Sequence, residues 1–267
     1  MDQAQRRQFL LRGLLAERPE YRALPIPESA EAQRRLLRSL MNVRPAAPLA
    51  PALLSVQDEY LREAAADRGI TPLSQLEPVQ PELYLWQGDI TTLQCDAIVN
   101  AANSGLTGCY IPCHACIDNC IHTFAGVQLR QACQALMDAQ GHPEPTGRAR
   151  ITPAFNLPCC YVLHTVGPII RGRVTARDEQ LLASCYRSCL ELAEEKGLES
   201  VAFCCISTGV FHFPNQRAAQ IAVRTVRQYK AEAGSKLKVI FNVFQDADRA
   251  IYARLLGSDR PAAGRAD

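Results

Sequence analysis

GDITTLQCDAIVNAANSGLTGCYIPCHACIDNCIHTFAG, residues 88–126, is the segment from which the rest of this chain is best read. An acidic turn at Asp89 follows the strand pattern LYLWQ. CDAIV is a short, continuous apolar run, the pattern of a strand covered on both faces. It empties into Asn100-Ala101-Ala102-Asn103, then into a loop carrying Cys109, Cys113, His114 and Cys116. A helix is expected from Ile117, and its apolar stripe through Ile121, Phe124, Leu129, Cys133 and Leu136 predicts one long helix closed by Gly141.

The same alternation continues downstream. CYVLHTVGP reads as a buried strand, RDEQLLASCYRSCLELAEEKG as an amphipathic helix, and SVAFCCISTGVFHFP as a strand with a Gly-bearing loop. NQRAAQIAVRTVRQYKAEAG is a helix with Asn215 as its expected cap. LKVIFNVF and DADRAIYARLLG close the series, and RPAAGRAD reads as a frayed tail. Alternating strands and helices imply an α/β fold of three layers, α/β/α, around a mixed, largely parallel central sheet. Ligands of such sheets sit at the carboxyl ends of the strands, where NAANSG and STGVF are the most polar loops.

Upstream, residues 1–75 read as a helical extension packed on a main domain at 76–267. Phe9, Leu10, Leu14 and Leu15 fall near one face of a first helix, and Leu36, Leu37, Leu40 and Met41 recur at helical spacing behind a Ser29 cap. RPAAPLAP breaks the pattern, and Ser55 is the expected start of a third helix that stops at Gly69.

Composition narrows the function. Hydrophobic residues make up 48% and charged residues 21% of 267, the balance of a soluble globular chain. A net charge of +2 gives no electrostatic footprint for nucleic acid. No apolar run reaches the roughly 18 residues of a membrane span, and no secretory signal is recognisable. Most of the twelve cysteines are therefore expected to be reduced core residues of a cytoplasmic protein.

The cysteines at 109–116 need a separate account. Two thiolates and one imidazole, Cys109, Cys116 and His114, form a plausible zinc set with an open fourth position. Cys120, one helical turn after Cys116, would instead close the site as structural zinc; plain buried thiols without a metal are the third reading. Cys113 is set aside because its side chain points away from that of His114. Asp118 lies in the first turn of the helix, where the dipole favours its ionised form and suits it to orient a water or a ribose hydroxyl. The NAAN amides suit ribose hydroxyls, Asp89 suits an exocyclic amine or a turn cap, and Ser207, Thr208, Gly209 and Val210 form either an anion nest or an ordinary turn.

GDIT, AIVNAAN, IDNCIHTFAG, VLHTVGP and STGVFHFP, in that order, resemble a macrodomain, an ADP-ribose-binding fold. The run GCYIPCHAC after NAAN, with the helical extension, resembles the zinc-containing subfamily, so the likeness covers nearly the whole chain. That resemblance implies that Asp89 reads the adenine amine, with the Ile90 backbone facing the adenosine. Asn103 would hold the distal ribose, with one zinc on Cys109, His114 and Cys116 beside it. Backbone from Cys116 through Ile117 and Asp118 to Asn119 would cradle that sugar, with Asn103 and Asp118 catalytic. Ser207, Thr208, Gly209, Val210 and Phe211 would wrap the diphosphate. The implied activity is hydrolysis of mono-ADP-ribose from protein side chains. Some members are thought to oppose a sirtuin-like transferase acting on a lipoyl-carrier protein. A reader module that binds without cleaving, holding a structural zinc, is the competing expectation.

Overall fold

A computed structural model describes residues 1–257; the tail segment at 260–267 lies outside the described residues. Three helices come first: α1 (Gln3–Ala16), α2 (Ala30–Val43) and α3 (Pro51–Asp67). Asp2 caps α1 with a reciprocal capping box, and Ser29 caps α2 through Ala32 N. Helix α3 begins at Pro51, not at Ser55, because proline at the first position loses only an amide that has no helical partner there. Leu10, Leu11, Leu14 and Leu15 of α1 pack with Leu37, Leu40 and Met41 of α2 in a core that also takes in Val127. Phe9 is excluded and stays 39% exposed.

The elements that follow are β1 (Thr71–Pro72), β2 (Pro78–Gln80), β3 (Leu83–Gln87), β4 (Leu93–Gln94), β5 (Ala97–Ala101), α4 (Ile117–Ala125), α5 (Val127–Gln140), β6 (Ala149–Pro153), β7 (Tyr161–Thr165), α6 (Ala176–Glu195), β8 (Ser200–Phe203), α7 (Asn215–Ala233), β9 (Lys238–Val243) and α8 (Asp246–Leu256). Strands β1 and β4 form a parallel pair of their own. The main sheet runs β2-β3-β9-β8-β5-β7-β6. Its inner neighbours are parallel, and both edge pairs, β2 with β3 and β6 with β7, are antiparallel. The mixed, largely parallel α/β sheet expected from the alternation is present. The inner strands are apolar along their length because helices cover both faces.

Two local expectations give way. The helix after residue 117 is two helices, broken at Gly126, whose φ of 94° and ψ of 175° no helix accommodates. Asn215 does not cap α7: it is the first helical residue, and its Nδ2 donates to Asp248 Oδ1 at 2.6 Å.

Candidate active site

A cleft of about 480 Å³ opens at the carboxyl ends of β3, β5, β8 and β9. Gly88, Asp89 and Ile90 follow β3, Ala101 ends β5, the loop to Phe211 follows β8, and Phe244 and Asp248 follow β9. Cys116, Ile117, Cys120 and Phe124 of the α4 segment make the facing wall. Asp89 caps the turn behind it: Oδ1 accepts from Thr91 N at 2.9 Å and Thr91 Oγ1 at 2.6 Å. Its other oxygen pairs with Arg68 at 2.8 Å, and that guanidinium lies 3.7 Å from the centre of the Phe124 ring.

The loop after β8 holds Ser207 at a φ of 66°. Ser207 Oγ is buried and has no hydrogen-bond partner among the described residues. The backbone amides of Gly209, Val210 and Phe211 likewise donate to no acceptor among the described residues. Consecutive free N–H groups at a strand end suit an anion. Gly167 permits the arrangement, since a Cβ there would stand 2.0 Å from Ser207 Oγ.

Asp118 lies behind the α4 wall, 5% exposed. Asn100 Nδ2 donates to its Oδ1 at 2.8 Å, and Asn103 Nδ2 to its Oδ2 at 3.3 Å. Asn100 stands opposite His164 in the β5–β7 register, and its Nδ2 also lies 3.2 Å from His164 Nδ1. The other ring nitrogen of His164 meets Thr152 Oγ1 at 2.9 Å, so Nδ1 accepts and Nε2 donates. Burial, opposed by the two asparagine amides and by the charge of Arg130, raises the Asp118 carboxyl to about 6. The helix dipole alone suggests an easily ionised group; desolvation outweighs it here. His122 Nε2 is 3.6 Å from Asp118 Oδ1, but burial holds that imidazole neutral, so the contact is not an ion pair.

At the start of α4, donor atoms of Cys109, His114 and Cys116 lie within 4.8 Å of one another, with Cys109 Sγ 3.7 Å from His114 Nδ1. Tetrahedral zinc bonds place thiolate and imidazole donors roughly 3.5–3.8 Å apart, so the set fits one such ion with little movement. Cys116 is also the N-cap of α4, accepting from Asn119 N at 3.4 Å. Burial, with Cys109 next to it, pushes the Cys116 thiol up to about 12, a proton that a metal would displace. Cys120 and Cys113 stay outside this group: Cys120 Sγ accepts from Arg38 Nη2 at 3.5 Å, and Cys113 Sγ faces Ser39 Oγ at 3.2 Å.

Residues 99–222 match the family model described as Macro domain. A protein named protein-ADP-ribose hydrolase from Treponema medium is 60% identical over 260 residues, covering 96% of this chain and 100% of its own length. The chain belongs to the macro domain family. A protein of the same name from Staphylococcus aureus (strain MRSA252) is 48% identical over 256 residues, 95% of this chain and 96% of its own. The Trypanosoma brucei macrodomain solved in complex with ADP-ribose aligns with a TM-score of 0.64 at 33% identity, over 86% of this chain and 97% of that one.

In this macrodomain Asp89, Ile90, Cys116, Ile117, Ser207, Thr208, Gly209, Val210 and Phe211 line the cleft. Asn103, Asp118 and Asn119, also expected at the site, are not among the residues that line it. The Asn119 side chain holds the loop at 109–116, donating to Cys109 O at 3.2 Å and Ile111 O at 3.0 Å. Phe124 and Phe244 also line the cleft, Phe244 at 70% exposed, and neither is singled out by sequence reasoning as a binding residue. An aromatic directly after an apolar strand, as in VFQD, is the signal that points to Phe244.

Helix α2 is also part of this macrodomain's site. Arg38 Nη2 donates to His114 O at 2.8 Å and to Asn119 Oδ1 at 2.9 Å. Asn42 Oδ1 accepts from Cys113 N at 2.9 Å. Arg130 of α5 ties Thr107 O, at 2.8 Å, to the Asn42 carbonyl, also at 2.8 Å. Gly108 precedes Cys109 at a φ of 87°, where a Cβ would come within 2.8 Å of the His122 ring. The loop is thus clamped from the extension on one side and packed on α4 on the other.

Proposed function

We propose that this macrodomain is a zinc-dependent protein-ADP-ribose hydrolase that releases mono-ADP-ribose from modified protein side chains. The observation that carries the reading is the three-donor set at Cys109, His114 and Cys116, with the buried Asp118 carboxylate, tethered by Asn100 and Asn103, two residues after Cys116 and close enough for its charge to act on that thiol. The names of the Treponema and Staphylococcus relatives and the ADP-ribose bound by the Trypanosoma neighbour support it.

The chain's own groups divide the work. Asp89 would accept from the adenine amine, and the free amides of 209–211 with Ser207 Oγ would take the diphosphate. That binding energy, spent away from the reacting bond, holds the distal ribose at the α4 wall. Asn103 would fix the sugar. Asp118, with a pKa near 6, is ionised at neutral pH and basic enough to take a proton from an attacking water. The water oxygen bonds to C1 of the ribose as the bond from C1 to the protein side chain breaks, and the departing group takes up a proton. Cys109, His114 and Cys116 would hold the zinc, which would supply Lewis-acid polarisation next to the ribose. A lipoyl-carrier protein modified by a sirtuin-like transferase is one substrate that fits this reading.

A non-catalytic reader shares the cleft, but the open donor set and the raised carboxyl favour the enzyme. Zinc-loaded and chelated protein are to be incubated with mono-ADP-ribosylated protein and the released ADP-ribose measured. Metal-dependent release is expected; tight binding without release would select the reader.

A further inference from the structure

A second depression of about 510 Å³ runs between α2 and α3, beside the cleft. Arg38 and Phe124 belong to the walls of both. Its floor is apolar, with Leu37, Met41 and Leu61, and its rim carries Arg34 and Arg35. Both are exposed, and neither they nor Arg38 pair with a carboxylate among the described residues. Asp67 is the acidic residue of the rim. On one side the groove reaches Cys113, in the loop that carries the metal donors. The crest of that loop presents Tyr110 and Ile111 to solvent, 42% and 58% exposed.

We infer that this groove receives the protein to which the ADP-ribose is attached, and that it selects acidic residues flanking the modified side chain. The inference rests on the hydrolase reading in one respect: the nucleotide enters the cleft as part of a protein. That protein must leave the cleft at the distal ribose, beside the loop at 109–116. Cys116 faces the cleft and Cys113 faces the groove, so the loop is the ridge between them. A chain crossing it meets the apolar floor and unpaired guanidinium groups that suit carboxylates. The groove gives the extension a role in choosing the acceptor that is separate from its grip on the metal loop.

Two synthetic peptides with one ADP-ribosyl linkage test this, the modified residue flanked by Asp and Glu in one and by Lys in the other. Affinity and ADP-ribose release are to be measured for wild type and for Arg34→Glu/Arg35→Glu, two exposed changes away from the cleft. Wild type is expected to favour the acidic peptide on the order of tenfold, and the double variant to lose or reverse that preference. Its affinity for free ADP-ribose should stay unchanged. Equal affinity of wild type for both peptides, or a preference that survives in the variant, would overturn the inference. So would a matching loss of free ADP-ribose affinity, which would place the arginines on the nucleotide. If neither peptide is cleaved but the affinity preference and its loss are seen, the groove stands and the hydrolase reading falls.

Discussion

Asn100 joins Asp118 to the neighbouring strand β7: its Nδ2 is 2.8 Å from the Asp118 carboxylate and 3.2 Å from His164 Nδ1. One amide group thus couples the carboxylate to a histidine fixed by Thr152. The carboxylate is held by the sheet, not by the mobile end of a long side chain, and such rigidity suits a site that must place a water within a few tenths of an ångström.

His164 makes stability depend on pH. Burial pushes its imidazole down to about 3. Below an unfolded-state value of about 6.5 the unfolded chain takes up this proton and the folded chain does not, so stability present at neutral pH is lost as pH falls toward 3. The slope from this one group approaches roughly 1.4 kcal/mol per pH unit within that window. Denaturant unfolding of wild type and His164→Gln at pH 6 and pH 4.5 should show the variant losing less stability by about that slope. Identical pH dependence in the two proteins would contradict the assignment.

Arg38 should govern the shape of the loop at 109–116 and with it any zinc affinity of Cys109, His114 and Cys116. Arg38→Met keeps most of the side-chain volume but frees His114 O and Asn119 Oδ1 from their donor. Zinc affinity, measured by competition with a chromophoric chelator, is expected to fall by about 10–100-fold, the usual cost of removing groups that orient metal ligands. An unchanged affinity would show that the loop holds its shape without the extension.

Much of this was legible in residues 88–126 because the donors, the amides and the carboxylate are close in sequence there. The inner strands announced themselves by continuous apolar runs. The edge strands β2 and β6 did not, since PVQ and ARITP are short, contain proline and lack a clean alternation. Gly126 splits a helix whose apolar stripe runs through the break, because periodicity is blind to one unusual backbone angle. Arg38 and Asn42 reach the loop at 109–116 across more than 70 residues of sequence, and nothing local marks them for that task. The raised carboxyl of Asp118 was equally hidden: position on a helix is written in sequence, but depth beneath the cleft wall depends on the tertiary fold.

Gly167 should be intolerant of a side chain. Gly167→Ala places a Cβ 2.0 Å from Ser207 Oγ and 2.9 Å from Ile206 Cγ2, so the loop at 207–211 must shift. A stability loss of about 1–3 kcal/mol and weaker ADP-ribose binding are expected, read by thermal melting and calorimetry. Adding Ser207→Ala should recover part of the stability and none of the affinity. A variant that melts and binds like wild type would show that the loop is not held by this contact.

The most direct measurement compares wild type with Asp118→Asn, zinc-loaded, for two quantities: single-turnover release of ADP-ribose from a mono-ADP-ribosylated protein, and affinity for free ADP-ribose. The amide keeps the shape of the carboxylate and removes its ability to take a proton. Release should slow by roughly 10²–10⁴-fold while affinity stays within about threefold. Release at the wild-type rate would contradict the account, because the buried carboxylate between the two asparagines would then have no part in the chemistry.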